Sequence, residues 1–293
     1  MTSPIRSILF PTDLSACAEG AFSHAAFLAE RFGASLHVLH VRENPNEPPA
    51  DWFDTLRISP EDIFADLKMP MPEEDRPFGL IEIEDHEVEA SDVSAATLHH
   101  AATHSADLIV MGTHGRTGIR RAVIGSIAEA VVRRARCPVL TVRPSARGDE
   151  SALRRILVAL EDAHPRPWQV AWGARLAHAY GSHLDLVHIV ALSPLHPGPS
   201  PAQRRGHRDL RVLEESLEAE GLRATSRVVE GEPAHAILDT AARLQPDLLV
   251  VGSQGKTGMR RALLGSVSER VIREAPCPVF VSRVAPVTAP AAA

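Results

Sequence analysis

Short, nearly unbroken apolar runs alternate along this chain with longer stretches in which apolar residues recur every three or four positions. In the first half the runs fall at residues 7–10, 36–41, 80–84, 108–111 and 139–142, and in the second at 156–160, 184–190, 223–229, 248–251 and 279–282. Runs this continuous predict strands of a parallel sheet covered on both faces. The intervening segments, such as 18–32 and 233–244, carry the helical period. Strand–helix alternation with five strands per half predicts α/β units, two small doubly wound domains in tandem. In such sheets ligands bind beyond the carboxyl ends of the strands, where the strand order reverses.

The halves are copies of one another. Residues 112–143 and 252–283 align without a gap at an offset of 140, and 17 of the 32 positions are identical. Residues 7–10 and 35–41 match 155–158 and 183–189 at an offset of 148, so the first half holds about eight extra residues between 43 and 86. The polar connector at 144–150 separates the expected domains, 1–145 and 152–284. The Ala- and Pro-rich tail, 285–293, is expected to be disordered.

Composition narrows the class. The chain has 293 residues, 44 % hydrophobic and 23 % charged, which suits an ordinary globular protein. A net charge of −6 argues against a non-specific nucleic-acid binder. No apolar run approaches the length of a membrane span. Three cysteines make no disulfide framework, so a reducing, cytoplasmic setting is expected.

The repeated chemistry lies after the fourth strand of each half. Gly112-x-x-Gly115 is followed after nine residues by Gly125-Ser126, and Gly252-x-x-Gly255 by Gly265-Ser266. Glycines let backbone N–H groups come close to a ligand. Ser126 with Glu129, and Ser266 with Glu269, have capping-box spacing and place a helix start at each glycine-serine pair. Ile127, Ala130 and Val131 then predict the buried face of that helix. A helix N-terminus suits phosphate. The loop is not a P-loop, which needs four residues between its glycines.

At these residues the chain resembles the universal stress protein family, whose ATP-binding signature is G-x2-G-x9-G-[S/T]. The resemblance covers nearly the whole chain. It implies five parallel strands per domain in the order 3-2-1-4-5, helices on both faces, and pairing through the last strands, so that the halves form an intramolecular pseudo-dimer. It allows two chains to pair again as a homodimer. It also implies a site for ATP, or for ADP or AMP, with Mg2+ as an allowed companion. In the first half Pro11, Thr12 and Asp13 would meet adenine and ribose, and Val41 the adenine. Gly112, His114, Gly115, Gly125, Ser126 and Ile127 would hold ribose and phosphates, with Arg116 beside them. Asp13 reads equally as the N-cap of the first helix, and the two roles are compatible. In the second half Gly252, Gly255, Gly265, Ser266 and Val267 repeat the loop, with Ile189 in the place of Val41. There, Ala159-Leu160-Glu161 replaces Pro11-Thr12-Asp13 and Gln254 replaces His114, so the copy is altered, with Glu161 as the counterpart of Asp13 and Asp162 competing for that role.

Other candidates are weaker. His100 and His104 share a helix face next to His99, but no Cys or acidic partner stands at a recognisable spacing. They read as solvated helix residues, and no metal site is expected. His40 and His188 occupy equivalent strand positions and read as packing residues. No dedicated hydrolase motif occurs, so no catalytic residues are assigned. A regulatory nucleotide-binding module with an undetermined protein partner is the leading expectation. A slow ATPase or nucleotide transferase, or a structural stress protein with vestigial sites, are the alternatives.

Overall fold

The computed structural model describes residues 5–43, 81–113, 124–143, 153–160, 167–190, 199–253 and 264–283. The first half runs β1 (Ser7–Thr12), α1 (Ala16–Phe32), β2 (Ser35–Arg42), β3 (Ile83–Glu89), α2 (Val93–Thr103), β4 (Leu108–Gly112), α3 (Ser126–Arg134) and β5 (Val139–Val142). The second runs β6 (Arg155–Leu160), α4 (Trp168–Tyr180), β7 (His183–Val190), α5 (Pro201–Ala219), β8 (Arg223–Glu230), α6 (Pro233–Leu244), β9 (Leu248–Gly252), α7 (Ser266–Glu274) and β10 (Val279–Ser282).

All ten strands form one sheet in the order β3-β2-β1-β4-β5-β10-β9-β6-β7-β8. Neighbours within each half are parallel. The halves meet where β5 and β10 pair antiparallel, with Leu140 opposite Phe280. The chain is therefore a pseudo-dimer sharing one continuous sheet.

The apolar runs form strands because both faces are covered. Ile8, Leu9 and Phe10, like Leu108, Ile109 and Val110, are at most 1 % exposed. Each face carries one core cluster drawn from both halves. One holds Phe10, Phe22 and Phe27 with Trp172 and Phe280, and the other Val131 and Val132 with Val271 and Ile272. α1 and α4 meet across the pseudo-twofold, where His24 Nδ1 lies 2.9 Å from the Tyr180 hydroxyl. α1 ends because Gly33 takes φ +60°, with its N–H and that of Ala34 turned back onto Glu30 and Ala29.

One strand falls elsewhere than its hydrophobicity predicts. The third run was expected at 80–84, whereas β3 spans Ile83–Glu89, IEDHEVE. This is an edge strand, exposed along most of its length, and charges such as its Glu84, Asp85, Glu87 and Glu89 disfavour edge-to-edge pairing. A strand with no buried face has no apolar run to announce it. α2 brings a second correction. His99 is exposed as expected, but His100 is buried, at 8 % exposure, and His104 is half-buried.

Candidate functional site

Within the first half β1 lies between β2 and β4, so the strand order reverses between β1 and β4 and a crevice opens beyond their carboxyl ends. Thr12 closes β1. Leu14 then takes a left-handed conformation, φ +64°, and its N–H donates to Thr12 Oγ1 at 3.0 Å. Asp13 does not cap α1. The N-cap is Ser15, and the Ser15 N–H and hydroxyl both donate to Asp13 Oδ1, at 3.2 and 2.7 Å. The carboxylate is thus fixed at the mouth of the crevice by the turn that follows it. From β2, buried His40 donates Nδ1–H to the Thr12 carbonyl at 3.0 Å and ties the end of β1 to the strand that carries Val41. The carbonyl acceptor settles which ring nitrogen holds the proton.

On the other side, β4 ends at half-buried Gly112. The Thr113 N–H donates to the Val142 carbonyl at 2.9 Å, and the Gly125 N–H to the Thr113 carbonyl at 2.7 Å. Residues 113 and 125 are stitched together, and the stitch explains the glycine. A Cβ on residue 125 would stand 3.0 Å from the Thr113 oxygen. The second half repeats the stitch with Ser253, Ser282 and Gly265. The segments closed off, 114–123 and 254–263, lie outside the described residues, and with them His114, Gly115, Arg116 and Gly255.

The helix starts fall at the glycine-serine pairs, but not through capping boxes. Gly125 and Gly265 are the N-caps, with no side-chain cap on either. Glu129 instead accepts from Arg133 and from Arg273 of the other half, both at 3.1 Å. Glu269 accepts from Arg133 at 2.8 Å and stands 3.5 Å from Arg273. Two acids and two arginines, one pair from each half, form a four-membered network, so neither acid turns back to cap its own helix. The first-turn amides of Ser126 and Ile127 are left without a side-chain cap beside the crevice. The buried face of α3 is Ala128, Val131 and Val132, and Ile127 is 40 % exposed, one position off the expected stripe. In α7, Val267 packs partly against the core.

The equivalent crevice of the second half is less complete among the described residues. β6 ends at buried Leu160, and His188 donates Nδ1–H to its carbonyl at 3.2 Å. Ile189 is half-buried in β7. Gly252, Gly265 and Ser266 repeat the loop geometry, while Glu161 lies outside the described residues.

Two features escaped the linear pattern. Arg143 Nη1 donates to the Ala275 carbonyl at 2.9 Å, and its Nη2 to Ile272 and Arg273 at 3.1 and 3.3 Å. Reciprocally, Arg283 Nη2 donates to Val132 and Arg133. Each half thus caps the last helix of the other. All six of these charged positions are identical between the repeats. That identity was the available signal, and it marks the join as much as the ligand loop.

The fold and the site define a tandem pair of doubly wound α/β units joined through their last strands, with a glycine-stitched helix start at each crevice. The pattern that defines the universal stress protein family matches this chain twice, over residues 4–143 and 152–283, and the chain belongs to that family. A universal stress protein of Methanocaldococcus jannaschii is 28 % identical over 144 residues, covering 46 % of this chain and 85 % of that protein. One from Mycobacterium tuberculosis is 29 % identical over 199 residues, 62 % of this chain and 63 % of its own length. The crystal structure of a universal stress protein from Archaeoglobus fulgidus shares the fold, with a TM-score of 0.66 at 22 % identity over 94 % of this chain and 98 % of that one. Among the described residues, no helix is long and apolar enough to cross a membrane.

Proposed function

We propose that the crevice between β1 and β4 binds an adenine nucleotide, ATP or its ADP or AMP products, and that the chain acts as a nucleotide-responsive regulatory module. The observation that carries this reading is the uncapped first turn of α3, with Gly125 stitched to Thr113 directly beyond β4. Donor amides and the positive end of a helix dipole favour an anion there. The Asp13 carboxylate, held by Ser15 in the turn after β1, would accept ribose hydroxyls. Pro11, Thr12 and the backbone at Val41 would flank the base. His114, Gly115 and Arg116 would close over the phosphates, with Mg2+ beside them. The second half is an altered copy in which Gly252, Gly255, Gly265, Ser266 and Val267 keep the phosphate side and Glu161 and Ile189 stand for Asp13 and Val41.

The test is to denature the purified full chain, identify released small molecules by mass spectrometry, and titrate ATP by calorimetry. Binding is expected, with Asp13→Ala weakening it about 10- to 100-fold through loss of charged hydrogen bonds. Absence of both released nucleotide and binding heat would refute the reading. Sustained ATP turnover would favour the enzyme over the binding module.

A further inference from the structure

A second cluster of ligand-type side chains lies in the first half, on β2 and β3 at one edge of the sheet and on α2. His37 is the third residue of β2, about 13 Å up-strand of Val41 at roughly 3.3 Å per residue. His86 lies on the adjacent β3, and His100 and His104 stand at the carboxyl end of α2. Four imidazoles from two strands and one helix converge. Ring centroids are 4.9 Å apart for His37 and His104, 4.8 Å for His86 and His104, 4.4 Å for His86 and His100, and 3.9 Å for His100 and His104. One nitrogen from each of His37, His86 and His104 lies within 4.8 Å of the others.

The hydrogen bonds aim lone pairs into the cluster. The Ser35 hydroxyl donates to the Arg6 carbonyl, so it accepts from His37 Nε2, and His37 Nδ1 keeps its lone pair. His104 Nδ1 donates to the His100 carbonyl at 3.1 Å, which leaves Nε2 as the unprotonated nitrogen. A ligating histidine whose other N–H is held by a backbone carbonyl is the usual outer arrangement of a metal site. His37 Nδ1 and His86 Nε2 are 3.3 Å apart. Tetrahedral Zn2+ with Zn–N of about 2.0–2.1 Å requires about 3.3 Å between ligand nitrogens. Glu84 Oε2 stands 3.5 Å from the first of these atoms and 3.7 Å from the second. His100 Nε2 is buried with no hydrogen-bond partner among the described residues. An orphaned buried nitrogen is costly unless something meets it.

The fold does not require these histidines. In the second half His37 is replaced by Asp185, His86 by Arg227, His100 by Thr240 and His104 by Leu244. There the fully buried Asp185 carboxylate is satisfied internally by Arg155 at 2.6 Å, Arg227 at 3.0 Å and Thr225 at 3.0 Å. The same place in the fold is closed by an ion-pair cluster in one half and by four imidazoles in the other.

We propose that His37, His86 and His104 form a binding site for a divalent transition-metal ion of the Zn2+ class, with Glu84 or His100 completing a tetrahedral set. Imidazole donors select Zn2+, Ni2+ and Cu2+ over Mg2+ and Ca2+. The site is separate from the nucleotide crevice and does not depend on it.

The test uses the untagged full chain, stripped with a chelator and dialysed against Zn2+ and, separately, Mg2+. One Zn2+ per chain should survive gel filtration, Mg2+ should not, and Co2+ should give the intense visible bands of a tetrahedral site. His86→Gln and His104→Gln, at half-buried positions and checked for folding by circular dichroism, should each weaken Zn2+ binding more than about 100-fold, beyond the loss typical of an outer-shell change. ATP binding by either variant should match wild type. Failure of the wild-type chain to retain Zn2+, octahedral Co2+ spectra, or unchanged uptake in either variant would each overturn the proposal. The wild-type Co2+ spectrum decides the matter even if both variants unfold.

Discussion

Replacing Arg143 with Ala removes the guanidinium that caps α7 from the other half. That helix cannot cap itself. Pro276 forces Ala275 into an extended conformation, φ −58° and ψ 138°, so no left-handed glycine turns back on the last carbonyls. Arg143 supplies two bonds of ordinary length, 2.9 and 3.1 Å, and a longer third. Each normal bond contributes about 1 kcal/mol net, and a cation at a partly buried helix C-terminus adds up to about 2 kcal/mol. The expected loss is about 3 kcal/mol, or a fall in Tm of about 5 °C for a cooperative chain of this size. Arg143→Lys retains the charge without the fork and should recover about half. Urea unfolding followed by tryptophan fluorescence measures both, because Trp172 packs on Phe280 beside the join. A loss below about 0.5 kcal/mol for the alanine variant, or a lysine variant equal to wild type, would refute the assigned role. Should the halves uncouple, the transition would also split into two.

Two further predictions concern buried ionisable groups. Burial pushes His24 down to about 4, while in the unfolded chain it takes up its proton near 6.5. The unfolded state therefore binds more protons between those values, and stability should fall by up to about 3 kcal/mol as pH drops from 6.5 to 4. His24→Gln, which keeps a partner for the Tyr180 hydroxyl, should flatten that part of a urea-denaturation pH series, and an unchanged slope would refute the assignment. Burial alone would raise the Asp185 carboxyl, but hydrogen bonds from Arg155 and Thr225 and the charges of Arg155 and Arg227 hold it below its ordinary 3.8. Its contribution is complete above 3.8 and is lost on acidification below it. Asp185→Ala should cost about 2–3 kcal/mol at pH 7, less than a fully buried pair because both arginines reach solvent, and should remove that acid limb from the thermal-melt profile.

Much of the fold is legible along the chain, for a physical reason. A strand covered on both faces must be apolar at nearly every position, so β1, β2, β4, β5 and their copies show themselves as runs, and β5 and β10 begin and end where the pattern predicts. The glycine-serine pairs locate the helix starts, and at the first of them a Cβ on residue 125 would crowd the Thr113 carbonyl at 3.0 Å. β3 is not legible in this way, since its faces are exposed and its composition answers to solubility.

By itself, the sequence determined the two copies, the ten strands apart from the placement of β3, and the positions of the glycine loops. These depend on local composition and period. Only the tertiary structure decided what the repeated charges do. Glu129 has the spacing of a capping residue, yet at 3.1 Å from Arg273 of the other half it joins an ion-pair network, because side-chain partners are chosen by distance in space. In the same way His37, His86 and His104 are scattered over 68 positions of sequence and have no motif spacing. Parallel pairing of β2 with β3 and the docking of α2 against β2 bring them within ligand distance of one another.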